Sequence, residues 1–287
     1  MSQLEIDLKH AKGSSASILL FGATVISWKS ANKSDSDIKE RLFVSSKAAL
    51  DGSKAVRGGI PVVQSSCCEP QIILISIKVF PCFGPPIHQD HAKLPQHGFA
   101  RTAVWSWDGK IAQDESTQTV STTLSRQVTN VRLPLISSAA LKPTSDISEL
   151  FARPFELQYI VTLGEFNIST ELRVYNTSEE TSLEFQALLH NYIRAPSDQV
   201  LITPLQNVVY YDKTEATEQA RVRPKVESRI GVDVRSFTDS VYENAPDCEV
   251  TWPGGGISIK KDGFKDLVVW NPQEQGRKIG DMEDGGW

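Results

Sequence analysis

The segment KLPQHGFARTAVW, residues 93–105, gathers an amide, an imidazole and a guanidinium around one glycine: Gln96, His97, Gly98, Phe99, Ala100, Arg101. The amide and the guanidinium offer several N–H donors in fixed geometry, and the imidazole can exchange a proton near neutrality. Gly98 permits a sharp turn and Phe99 can anchor the loop in apolar surroundings. Such a set suits an oxygen-rich ligand. Upstream, Arg57 opens RGGIP, a second guanidinium beside glycines that let the backbone turn or approach a ligand closely. Two arginines next to glycine turns can grip a phosphate or sugar hydroxyls through planar, multi-donor contacts. They can equally well satisfy the carbonyls of their own loops, and residue type leaves both readings open.

Three further positions bear on chemistry. His190 stands in the apolar run QALLHNY. There it is either a satisfied core residue or an imidazole able to give a proton to an oxygen. Asp239, in FTDSVYEN, can accept hydrogen bonds from hydroxyls or sit as an exposed turn residue. The run HQDH, His88 to His91, invites a metal, but its spacing fits no closed site, and Pro85-Pro86 before it reads as a solvated loop. No metal and no other cofactor is expected.

The elements that must position these groups are strands. SILLFGATVISWKS has two β-rich runs around Gly22, and FELQYIVTLGEFNISTELRVYN alternates apolar and polar residues on both sides of Gly164, the pattern of a hairpin. TSLEFQALLHNYIR places Leu183, Phe185, Ala187 and Leu189 on one face, and Glu184, Gln186, Leu188 and His190 on the other. GISIKKDGFKDLVVWNP supplies another strand pair around Asp262-Gly263, and helical periodicity is confined to short pieces such as IKERLFVSSKAAL. These patterns predict an all-β chain, a large antiparallel β-sandwich in a single domain over residues 1–287. Residues 64–79 and 125–140 break the pattern and read as insertions.

The whole chain bounds the function classes. Thirty basic against 35 acidic residues give a net charge of −5, which argues against a general nucleic-acid binder. An anionic ligand would have to be held by a few local arginines. The N-terminal MSQLEIDLKHAKG lacks a secretory pattern, and the apolar run IILISIKVF is too short to span a bilayer. Cys67, Cys68, Cys82 and Cys248 have no metal-like spacing and read as free thiols. The expectation is a soluble cytoplasmic protein, with no nucleic-acid or membrane partner.

Six motifs, VRGGIP, FPCFGPP, LPQHGFAR, LLHNYI, TDSVYEN and VVWNP, occur in the order and approximate spacing of one family. From about residue 18 onward the chain resembles the glucose-6-phosphate 1-epimerases. These are hexose-6-phosphate mutarotases of the galactose-mutarotase-like, or aldose 1-epimerase, superfamily. The resemblance implies a galactose-mutarotase-like supersandwich. It also implies a monomeric isomerase without cofactor that interconverts the α and β anomers of a hexose 6-phosphate. Arg57, Gln96 and Arg101 match substrate-contacting positions, with the arginines near phosphate or sugar oxygens, and His97 lies in the same motif facing the ligand. Asp239 matches the family's sugar-binding aspartate. His190 matches the histidine that acts as general acid on the ring oxygen.

The sequence departs from the family in two respects. The family's general base is a glutamate in a C-V/I-E-P-G motif shortly after a segment like DMEDGGW, and this sequence stops at Trp287 within that segment. Glu274 and Glu283 lie outside any such motif, so the chain reads as truncated at its C-terminus. Without residues 64–79, GGIPVV would join FPCFGPP, and without 125–140, VSTTL would join LKPTSDISELF, so both inserts read as retained intron sequence. Two alternatives follow from these departures: a sugar-phosphate-binding sandwich impaired in turnover by loss of its base, and a product that folds poorly.

Overall fold

Strands are the main regular structure among the described residues of the computed structural model, which describes residues 5–33, 35–65, 93, 97–107, 109, 111–115, 118–128, 149, 151, 154–183 and 185–283. Gln96, His88, His91, three of the four cysteines and most of the two inserts lie outside the described residues. The chain divides into two compact units. Residues 5–44, 48–65 and those described from 93 to 194 form one, and residues 45–47 and 195–283 form the other.

In the first unit, β1 (Glu5–Lys9), β2 (Ser15–Leu19), β3 (Thr24–Asn32) and β4 (Asp35–Glu40) form an antiparallel sheet in sequence order. The two runs around Gly22 are the β2–β3 hairpin. The short helical period of IKERLFVSSKAAL is overridden: β4 covers its start, and Leu42 and Val44 beyond it bridge to Ile193 and Gly58. Pairing on both sides outweighs a weak local preference.

After β5 (Val62–Ser65), the second sheet is built from β6 (Ser106–Trp107), β7 (Ala112–Asp114), β8 (Thr119–Val128), β9 (Phe155–Leu163) and β10 (Ile168–Asn176). Its order is β10-β9-β8-β6, with β7 also on β8. β9 and β10 are the hairpin expected around Gly164, whose N–H donates to the carbonyl of Asn167. Residues 125–128, the start of one expected insert, continue β8 in register with residues 155–158 of β9. β9 explains why this unit holds together. Phe155, Leu157, Tyr159, Val161 and Leu163 all point inward and are fully buried, and each such side chain contributes about 1.5–3 kcal/mol. Finally, β11 (Gln186–Leu189) pairs antiparallel with β5.

The second unit contains two antiparallel sheets. Its strands are β12 (Leu201–Thr203), β13 (Val209–Asp212), β14 (Lys225–Val226), β15 (Thr238–Tyr242), β16 (Cys248–Trp252), β17 (Gly255–Ile259) and β18 (Leu267–Asn271). They are arranged as β12-β16-β17 and β14-β13-β15-β18. The two strands expected around Asp262-Gly263 therefore form, but not as partners: β17 pairs with β16 and β18 with β15. Lys261 between them donates its backbone N–H to Asp247 and its ammonium to the Ala245 carbonyl, which ties the connection to the β15–β16 turn. Buried Glu227 is held by a forked contact with Arg229 and by the hydroxyl of Tyr242. Burial works against its charge, yet these donors outweigh burial and hold the carboxyl at about 2.

Candidate functional site

The frame of the site is a set of backbone pairings just beyond β11. His190 donates its N–H to the Pro61 carbonyl, Tyr192 donates to Gly59, and Arg194 donates to Arg41. The N–H of Phe43 reaches the carbonyl of Tyr192, and the N–H of Gly59 reaches that of Phe43. Residues 190–194 are thus paired with residues 59–61 and with residues 41–43, with alternate side chains on one face. His190 and Tyr192 share that face.

Packing this tight requires the glycine pair after Arg57. Gly58 and Gly59 have φ of 128° and 71°, in the region that side chains rarely adopt. A Cβ on Gly59 would lie 2.2 Å from the carbonyl oxygen of Val25, and one on Gly58 would lie 2.4 Å from the Cα of Val44. The RGG triplet is therefore a close backbone crossing that leaves Arg57 at its margin. Its guanidinium donates from Nη1 to the hydroxyl of Tyr192 at 3.4 Å.

The second contributor is the loop of residues 97–105. Phe99 is buried, its ring 5.6 Å from that of Phe155 at the start of β9. A 3-10 turn, Ala100–Thr102, follows, closed by the N–H and hydroxyl of Thr102 on the Phe99 carbonyl. Trp105 donates its indole N–H to Ala100, and its ring meets Tyr159 edge-on. The loop is thus anchored on the core by two aromatic rings, and the anchoring fixes His97 and Arg101 on either side of Phe99. His97 has a φ of 67°, and its Nδ1 is buried with no hydrogen-bond partner among the described residues.

Arg57, His97, Arg101 and His190 are close enough to feel one another's charge. Burial, then His97, Arg57 and Arg101, push the imidazole of His190 down to about 4. Burial, Arg101 and Arg57 do the same to His97, also to about 4. At neutral pH both rings are therefore uncharged beside two permanent cations. Chemically, this is a proton carrier next to an anion-seeking pair of guanidinium groups. His10 is a useful contrast: its Nε2 meets the Gln118 carbonyl at 2.6 Å and its Nδ1 accepts from the Lys12 N–H, so that ring is fully occupied in structural bonding.

Tyr192 is the residue that the sequence reading does not single out. Its ring stacks on that of His190, with centroids 4.2 Å apart and an angle of 14° between planes. The available signal was its place two residues after the histidine in LLHNYI.

Asp239 belongs to the second unit, on β15, where its backbone carbonyl accepts from Lys213. Burial raises its carboxyl to about 6, against the pull of Lys213 and with a smaller push from Asp212. Its Oδ1 is buried and finds no donor among the described residues. Among the described residues no three His, Cys, Asp or Glu side chains are grouped to hold a metal ion, and no helix is long and apolar enough to cross a membrane.

Comparison with known proteins identifies the fold and the family. A protein of Cenchrus ciliaris provisionally named glucose-6-phosphate 1-epimerase is 29% identical over 291 residues, covering 98% of this chain and 74% of that protein. A relative from Escherichia coli (strain K12), with the same provisional name, is 25% identical over 284 residues, covering 95% of this chain and 76% of that protein. Of solved structures, one provisionally described as a mutarotase from Salmonella typhimurium superposes with a TM-score of 0.72 at 22% identity, covering 98% of this chain and 79% of that one. A galactose mutarotase-like protein from Lactobacillus casei gives a TM-score of 0.60 at 16% identity, with 94% and 84% covered. The fold is therefore the all-β, galactose-mutarotase-like one expected from the sequence. A family model described as aldose 1-epimerase matches residues 79–287, and the chain belongs to the aldose 1-epimerase family, a family of sugar epimerases.

Proposed function

We propose that this protein interconverts the α and β anomers of glucose 6-phosphate by acid–base opening of the sugar ring. The observation that carries the reading is the grouping of a half-buried imidazole, His190, with Arg57 and Arg101. Two guanidinium groups together suit a phosphate dianion better than they suit a neutral sugar. The provisional names of the relatives point to the same substrate.

The chemistry is a pair of proton transfers. A proton goes to the ring oxygen, the bond from that oxygen to C1 breaks, and the C1 hydroxyl loses its proton as the C1 carbonyl forms. Rotation about C1–C2 presents the other carbonyl face, and the reverse steps close the ring as the other anomer. His190 gives and recovers the proton at the ring oxygen, a contribution of about 10²–10⁴-fold for a positioned acid. The C1 hydroxyl proton passes to a solvent water and is taken back when the ring recloses.

The electrostatics fit this sequence of events. In the free protein partial desolvation and the neighbouring His97, Arg57 and Arg101 keep His190 neutral. A dianion against Arg57 and Arg101 offsets those charges, so the imidazole gains proton affinity when substrate is present. Gln96 and His97 are assigned to sugar or phosphate oxygens from the same loop. The buried Oδ1 of Asp239 is an acceptor of the kind that a sugar hydroxyl satisfies. Proton transfer calls on no metal and no redox group. A phosphorylated sugar is a metabolite of the cell interior, and a cytoplasmic monomer acting on a small molecule agrees with this reading.

The phosphate part is tested by comparing glucose 6-phosphate with glucose. We expect kcat/KM for the phosphorylated sugar to be at least about 100-fold higher, a difference within reach of charge-assisted contacts. Equal values for the two sugars would remove the phosphate from the proposal and leave an unphosphorylated aldose as substrate.

A further inference from the structure

Tyr192 touches two of the groups that the mechanism uses, and nothing in that mechanism yet employs it. Its ring lies 4.2 Å from the His190 ring at 14°, and its hydroxyl accepts from Arg57 at 3.4 Å. We propose that Tyr192 is a positioning residue for the reaction, fixing the plane of the His190 imidazole through its ring and the direction of the Arg57 guanidinium through its hydroxyl; this rests on the function proposed above.

Three physical arguments support the assignment. The second side-chain torsion of histidine is broad, so the backbone alone does not set the direction of the ring nitrogens. A proton donor must nevertheless reach its acceptor at about 2.6–3.2 Å in a defined direction. A flat aromatic face beside the imidazole removes that freedom. Second, Tyr192 is itself well held: its N–H donates to Gly59 and its carbonyl accepts from Phe43, so the ring is borne by a backbone whose donor and acceptor are both fixed. A positioning group is effective only when carried on such a rigid element. Third, an aromatic face stabilises a cation lying over it, so the same stack that orients neutral His190 also favours the protonated ring once substrate is bound. The two contacts of Tyr192 thus tie the acid to an anion-holding arginine that lies 135 residues before the tyrosine in sequence.

Two variants of the full chain separate the contacts. Tyr192→Phe keeps the stacked ring and removes the hydroxyl, whereas Tyr192→Leu removes both. We expect Tyr192→Phe to raise KM for glucose 6-phosphate about 3–10-fold with kcat within about twofold of wild type. Tyr192→Leu should show the same rise in KM and in addition a fall in kcat of about 10–100-fold, because the acid is no longer aligned. In NMR spectra the ring protons of His190 should keep their upfield displacement in Tyr192→Phe and lose it in Tyr192→Leu. A tyrosine that only filled space would not divide KM from kcat in this way. The inference is overturned if Tyr192→Leu retains wild-type kcat, or if Tyr192→Phe loses as much kcat as Tyr192→Leu. Should the wild-type chain fail to exchange the anomers at all, the proposed function fails on its own. Titration with inorganic sulfate, a dianion, then judges the tyrosine. Weaker binding by Tyr192→Phe upholds the role at Arg57, and equal binding, or no binding by wild type, ends it.

Discussion

His190 has the chemistry of a proton donor, but in the free protein at neutral pH its ring is the neutral imidazole and lacks the acidic second proton. Burial and the neighbouring His97, Arg57 and Arg101 bring it from the ordinary 6.5 to about 4. The sign of the linkage follows. The unfolded chain takes up a proton at this residue as pH falls through 6.5, whereas the folded chain resists until about 4. Stability is therefore lost progressively between those values and levels off below them. Binding of a dianion reverses the effect, and we predict proton uptake when inorganic sulfate is added at about pH 6, where sulfate itself does not titrate. Calorimetric titration in buffers of different ionisation enthalpy measures it. No uptake, with sulfate bound, would mean that the arginines and the imidazole are not electrostatically joined. At this scale the sequence was informative about residue identity. QHGFAR and RGGIP announced two arginines, and the structure brings Arg57, His97, Arg101 and His190 within reach of one another's charge. Tyr192 was not legible, because its role depends on a stacking angle and on a contact with a residue 135 positions away.

The placement of Arg57 is a property of the backbone crossing beneath it. Gly59 sits at a φ of 71°, with room for no Cβ beside the Val25 carbonyl. Substituting Gly59→Ala forces both an unfavourable dihedral and a clash with main chain, and the expected cost is on the order of 2–3 kcal/mol. We expect a lower denaturant midpoint with an unchanged slope, together with weaker binding of glucose 6-phosphate as Arg57 shifts. An unaltered midpoint would show that the crossing is looser than described. The hairpins of this fold were legible because each strand carries its own alternation: β9 reads apolar-polar from Phe155 to Leu163 and is buried in that rhythm. Partner choice was not legible in the same way. β17 and β18 are neighbours in sequence but pair with β16 and β15, a choice made by tertiary contacts such as those of Lys261. The segment after β4 likewise has helical spacing but takes extended pairing with Ile193 and Gly58.

Over the whole molecule, the net charge of −5 opposes any anionic substrate, so affinity for a sugar phosphate has to be local. In the proposed reading Arg57 and Arg101, beside His97 and His190, provide that local field. Membership of the aldose 1-epimerase family and the galactose-mutarotase-like fold supply the setting for ring opening. Order and spacing of six short motifs made that setting legible, although no single motif sufficed. The central claim, that His190 is the acid of an anomer exchange on glucose 6-phosphate, is tested most directly by NMR exchange spectroscopy between the two anomers. The wild-type chain is compared with His190→Ala. The account predicts acceleration by the wild-type protein and a loss of about 10²–10⁴-fold in His190→Ala at equal folded fraction. Equal exchange rates for wild type and His190→Ala would contradict it.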